Sequence, residues 1–240
     1  MVEINVPNRL EELTVEQFQA FNRVTEDNDN GVFVAQKMVS IFCKIRLSDV
    51  ARIKYSSVTE IVQIFEGMFN EKTPLVRTFK MGDTEFGFIP DLENMSMGEY
   101  ADLDQYIDDV ENMHKAMAVL YRPITKRKGD KYEIEEYNGS VTYSEVMKYA
   151  PLNVALGAKV FFWTLERELL KATLNYLEEE TVMSIRQNRS LAKSGVGTHL
   201  FTHLVKETLD DLRQSVDFHY PNALHGYFSR VKGLKQNAEI

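Results

Sequence analysis

From Phe18 to Met68 apolar residues recur at three-to-four spacing in short bursts separated by polar stretches, the pattern of amphipathic helices packed on a shared core. Thr14 and Gln17 have the spacing of a capping box ahead of Phe18, Phe21 and Val24, which predicts a first helix ending near Glu26. The loop EDNDNG leads to a second helix over Val32 to Lys44, carrying Phe33, Met38, Ile41 and Phe42. Ser48 is the expected cap of a short third helix. Ser57 with Glu60 is the expected cap of a fourth, whose buried stripe is Ile61, Ile64, Phe65 and Met68, with Pro74 beyond its end. Before all of these, residues 1–13 read as an extended arm in which Ile4 and Val6 alternate ahead of Pro7.

The period then changes from helix to strand. Val76, Thr78 and Phe79, the turn Met81-Gly82-Asp83, then Phe86 and Phe88 predict a hairpin that Pro90 closes. Ser96 and Glu99 repeat the capping-box spacing and open an acidic helix through Glu111, with Tyr100, Leu103, Tyr106 and Ile107 as its apolar stripe. Met113, Met117, Leu120 and Tyr121 make a further helical set, which Pro123 is expected to stop. A second hairpin follows in KRKGDKYEIEEYNGSVTY, turning at Gly129-Asp130 or at Asn138-Gly139, with Tyr132, Ile134 and Tyr137 on its strands. Both hairpins fit one small antiparallel sheet.

A short helix over Tyr143 to Tyr149 precedes Pro151, and the longest helix runs from Leu152 to about Glu180. Its apolar residues, among them Trp163, Leu165 and Leu169, occupy more than one face and predict a central helix with Trp163 in the core. SIRQNRSLAKSGVG reads as a linker, followed by helices over Thr198 to Val216 and from Pro221 onward. The fold class is therefore mainly α with a small inserted antiparallel β-sheet (α+β) around a multi-helix core. The expected divisions are 1–75, 76–182 and 183–240, unless all three form one domain.

At 240 residues with 44% hydrophobic and 27% charged residues, the chain can bury an ordinary globular core. A net charge of -8 argues against a general nucleic-acid surface, because phosphate neutralisation needs clustered Lys and Arg. The single cysteine, Cys43, lies in an apolar run and suits a reducing compartment. The first residues lack the basic start and apolar core of a secretory signal, and no run reaches the ~18 apolar residues that a membrane span requires.

Candidate chemistry is sparse. His199, His203 and Glu207 lie along one helical face, but the position after the first histidine is Leu200, where a zinc hydrolase needs its glutamate. The carboxylates of 99–111 read as a solvated face, or as a docking surface for a basic partner. SGVGTH lacks the lysine and hydroxyl ending of a phosphate loop. Lys126, Arg127 and Lys128 sit in a hairpin, and Arg186, Arg189 and Lys193 sit in the linker with no interleaved aromatics, which disfavours direct nucleic-acid contact. No catalytic residue, metal ligand or cofactor is expected.

At FGFIPDL (86–92), GEYADL (98–103) and MAVLYRPI (117–124), and on through Phe161-Phe162-Trp163 to about Leu177, the chain resembles structural proteins of tailed bacteriophages, labelled variously as tail-assembly, baseplate or head–tail connector components. The resemblance implies a non-enzymatic virion component, present in the host cytoplasm during assembly, whose partners are other phage structural proteins and copies of itself in an oligomer or ring. The rival is a tail-assembly chaperone absent from the finished particle; a metal-dependent hydrolase using His199, His203 and Glu207 is a distant third. The expected contact residues are Ile4 and Val6 of the arm, Tyr121 and Arg122 at an element end, and Lys126, Arg127 and Lys128 in the hairpin.

Overall fold

The computed structural model describes residues 4–26, 28 and 30–188. Among them the fold is mainly α, with one four-stranded antiparallel sheet of order β1-β2-β3-β4. In chain order the elements are α1 (Val15–Thr25), α2 (Gly31–Phe42), α3 (Leu47–Val50), α4 (Tyr55–Phe69), β1 (Thr78–Met81), β2 (Thr84–Phe88), α5 (Met97–Tyr106), α6 (Met113–Leu120), β3 (Tyr121–Lys128), β4 (Lys131–Ile134), α7 (Val141–Met147) and α8 (Leu152–Asn188). By its contacts the described chain divides after Val160, so the expected boundary at 75/76 falls inside the first compact unit.

The N-terminal segment is stitched to its own chain. Leu10–Glu12 form a 3-10 turn, Leu10 and Leu13 are buried, and Thr14 bridges Pro151. The amides of Val15 and Glu16, which have no partner inside α1, donate to the carbonyls of Ala150 (3.1 Å) and Lys148 (2.8 Å). The Thr14–Gln17 capping box forms as expected. Gln17 also donates from Nε2 to the Ile41 carbonyl (2.9 Å), so one side chain ties the start of α1 to the end of α2. Between these helices and α4 lies an aromatic cluster centred on Phe42, whose ring is 5.2 Å from Phe21, 5.4 Å from Phe65 and 5.9 Å from Phe69. Cys43, buried at the end of α2, has its thiol pKa pushed up to about 11 by that burial.

Two caps differ from expectation. Ser48 lies inside α3, and Ser57 lies inside α4, which opens two residues earlier at Tyr55. Neither helix has a side-chain cap bond. The buried face of α4 is Val58, Ile61, Val62, Phe65, Met68 and Phe69, leaving Ile64 44% exposed on the opposite side. After α2 the chain reverses at Lys44, whose φ of 56° is the left-handed conformation, with the Ile45 amide donating to the Ser40 carbonyl (3.0 Å). Lys44→Gly is expected to raise stability by about 0.5–1 kcal/mol, since glycine adopts this conformation without the Cβ penalty. A urea unfolding midpoint that falls would refute it.

The second unit is described here through the later part of α8. There Phe161 and Phe162 pack edge to face, and the Arg167 guanidinium lies 6.0 Å from the Trp163 ring centre. Trp163, expected in the core, is only half-buried, and Leu165 and Leu169 are exposed. The helix also continues beyond Glu180 to Asn188, through the first residues expected to be linker. The helices expected from Thr198 and Pro221 lie outside the described residues, as do His199, His203 and Glu207.

Candidate functional site

The sheet carries the most distinctive surface of the first unit, a basic hairpin on a buried foundation. The first hairpin turns at Gly82-Asp83, with Gly82 at φ 56° as the first loop residue, and pairs Phe79 with Phe86. β2 then pairs with β3 through Phe88↔Tyr121, Gly87↔Arg122 and Phe86↔Pro123. Pro123 therefore sits inside a strand, and α6 ends at Leu120 without its help. The Ile89 amide donates to the Leu120 carbonyl (2.9 Å), which sets the alternation of the ladder. Gly87 and Arg122 fall at the bonded pair, and Pro123 at a position where β2 asks for no amide.

Tyr121 and Arg122, expected at an interface, belong instead to the interior. Tyr121 is fully buried, within 5.3 Å of the Phe79 and Phe88 rings, and its hydroxyl donates to the Val76 carbonyl (2.7 Å). That burial pushes its pKa upward. Arg122 is 6% exposed and Glu99 7%. Arg122 Nη1 meets Glu99 Oε1 at 2.5 Å, while the other Glu99 oxygen accepts the Ser96 amide (2.7 Å) in the predicted capping box. Burial alone raises the Glu99 pKa. The Ser96 amide and hydroxyl, together with the Arg122 guanidinium, outweigh it and hold the carboxyl below its ordinary value.

Around this pair the chain after β4 folds back. The Tyr137 ring lies 5.4 Å from the Arg122 guanidinium, its hydroxyl donates to Asp102, and the Tyr143 hydroxyl donates to Glu135. Burial and the Asp102 carboxylate both raise the Tyr137 pKa; the bond to Glu135, with burial, pushes Tyr143 up to about 12. Tyr132 on β4 reaches across the sheet over Gly87 and donates to the Phe88 carbonyl (2.8 Å). A Cβ on Gly87 would lie 2.5 Å from that ring, so glycine is what lets the tyrosine cross.

Beyond this foundation the hairpin is open to solvent. Every residue from Thr125 to Lys131 is exposed, and a register shift between Ile124 and Lys126 marks a bulge at its base. The chain turns at Gly129-Asp130, with Gly129 at φ 60°, while Asn138-Gly139 leads into α7. Lys126 pairs with Glu133 (3.0 Å) and Arg127 with Glu85 (2.8 Å). Lys128 and Lys131 stand directly opposite each other, and neither forms an ion pair with a described residue.

Of the residues expected to make contacts, Lys126, Arg127 and Lys128 are thus presented to solvent. Ile4 and Val6 are half-buried in the N-terminal segment, and no hydrogen bond or ion pair among the described residues joins them to the hairpin. The acidic helix is shorter than expected: α5 stops at Tyr106, so Asp108, Asp109 and Glu111 lie in the turn before α6. Of its expected stripe only Leu103 is buried, and Tyr100 is 60% exposed. Among the described residues no helix is long and apolar enough to cross a membrane, and no three His, Cys, Asp or Glu side chains are grouped to hold a metal ion. Compared with family models, curated proteins and solved structures, the chain matches none.

Proposed function

We propose that this protein is a non-catalytic structural or assembly subunit of a tailed-phage particle, and that the β3–β4 hairpin docks on an acidic surface of a neighbouring subunit. The observation that carries the docking is the opposition of Lys128 and Lys131 at an exposed tip that also bears Lys126. Like charges directly opposite on paired strands are destabilising, so the arrangement favours a partner that supplies carboxylates. An acidic protein suits it better than a nucleic acid, because the chain as a whole has a net charge of -8. The phage setting is supported by the sequence resemblance. The three short motifs behind that resemblance meet in the hairpin's foundation, as β2, as the start of α5 that carries Glu99, and as the α6–β3 junction that carries Arg122.

The test is the triple variant Lys126→Glu, Lys128→Glu, Lys131→Glu, made in the infecting phage and read in purified particles by mass spectrometry. Incorporation at least about tenfold below wild type is expected, since charge reversal at an interface disfavours encounter and docking. The melting temperature of the isolated chain should fall only slightly, because the Lys126–Glu133 pair that is lost is exposed. Wild-type incorporation of the variant would refute the hairpin's role. Absence of the wild-type protein from particles would refute the subunit reading in favour of a chaperone.

A further inference from the structure

We propose that the contact between Gln19 and His114 is an acid-released latch, which holds α1 to the start of α6 at neutral pH and lets go when the imidazole takes up a proton. Gln19 is 3% exposed. Its Nε2 lies 2.8 Å from the Val110 carbonyl, 2.8 Å from the Glu111 carbonyl and 2.9 Å from His114 Nδ1. Two of these neighbours are carbonyl oxygens, so the amide must present its nitrogen; the flipped amide would set oxygen against oxygen. The amide nitrogen carries two hydrogens for three neighbouring acceptors and cannot itself accept, so Nδ1 suits it as an unprotonated nitrogen sharing one of those hydrogens with a carbonyl. The ring that fits this contact is neutral, with its proton on Nε2.

A second proton has no good place on this ring. It would put N–H against N–H within 2.9 Å, in a side chain only 8% exposed. Burial is the largest influence and lowers the pKa, and Lys148 of α7 and Lys115 of α6 add to it; Glu145 of α7 and Glu111, before α6, oppose it. Both carboxylates are partly spent elsewhere, Glu145 on Lys148 (2.8 Å) and Glu111 on Arg23 of α1 (2.7 Å). The folded ring thus titrates below the ordinary 6.5, and the opened form takes the proton first. The latch holds fully above 6.5 and weakens as the pH falls from there towards the folded value. Each unit of depression multiplies the open form about tenfold. The chain has five histidines, so the comparison with His114→Asn is what assigns the effect to this ring.

The experiment combines NMR titration of the His114 ring with amide hydrogen exchange at pH 7.5 and 5.0, corrected for intrinsic rates, in wild type and His114→Asn. Asparagine offers a non-titrating acceptor close to the place of Nδ1. In wild type the ring is expected to titrate below 6.5. Opening of α1 and of residues 107–114 should rise on the order of tenfold at the lower pH, and His114→Asn should stay flat. A ring pKa at or above the ordinary value, or an equal loss of protection in both proteins, overturns the latch. Should the variant fail to fold, the wild-type titration curve and the location of the exchange decide alone.

Discussion

Arg122→Met is expected to cost about 3–5 kcal/mol of stability, because it leaves the Glu99 carboxylate buried without its countercharge. The cost comes less from the attraction lost than from the solvation the remaining ion cannot recover. Glu99 is 7% exposed, and after the substitution only the Ser96 groups still face it. The double variant Glu99→Gln/Arg122→Met should therefore be more stable than Arg122→Met alone by about 1–3 kcal/mol, since glutamine keeps the capping-box acceptor without the charge. Urea unfolding of the wild type, both single variants and the double variant closes the cycle. A loss in the double variant equal to the sum of the two single-variant losses would show that the pair is not coupled. The acid side has a definite sign. The folded carboxyl titrates below its ordinary 4.5, so its contribution is complete above 4.5 and is lost as the pH falls through the folded value. Glu99→Gln should remove that part of the acid sensitivity. The proposed docking of the hairpin should weaken in Arg122→Met even where the chain stays folded, because the Arg122–Glu99 pair helps to anchor the base of β3.

What the sequence made legible was local. The Thr14–Gln17 and Ser96–Glu99 boxes each lie within one turn, and both form. Ser57 and Glu60 have the same spacing but no cap, because Lys54 already adopts the extended conformation that starts α4, and the serine is inside the helix. The hairpins and their union in one sheet were readable from alternation and turn glycines. Pro123 was misread as a helix stop because its effect depends on which edge of the strand its nitrogen faces, and register alone decides that. Tyr121 and Arg122 were misread as contacts for a related reason. Their partners, Val76 and Glu99, lie 45 and 23 residues away, and nothing local announces them. The Tyr132 clamp was likewise hidden, although the isolated glycine at 87 within a strand pattern was the one available signal. Trp163 shows the opposite failure: apolar residues on several faces of α8 suggested burial throughout, and it holds for those from Leu152 to Ala158 but not for Trp163, Leu165 and Leu169.

Gly157→Ala and Gly67→Ala should move stability in opposite directions, although both replace a glycine inside a helix. Propensity alone favours alanine at either site by about 1 kcal/mol. Gly67 on α4 has nothing within 4 Å of the place a Cβ would take, so that gain should appear in full. At Gly157 on α8 the same Cβ would lie 2.4 Å from the Pro74 carbonyl oxygen and 3.1 Å from its carbon. These are backbone atoms, and no rotamer change can move them aside. Overpacking of this kind costs about 1–3 kcal/mol or more, so the clash should exceed the propensity gain and leave Gly157→Ala less stable by about 2 kcal/mol. In a chain of this size that corresponds to a fall in melting temperature of about 4–8 °C, against a rise of about 2–4 °C for Gly67→Ala. The segment displaced, 74–76, carries the carbonyl that accepts the Tyr121 hydroxyl and leads directly into β1. Loss of packing there should reach the sheet, so hydrogen exchange in β1 and β2 should quicken in Gly157→Ala. If both alanine variants shift the melt the same way, the close approach of α8 to the 74–75 backbone is not what requires glycine at 157.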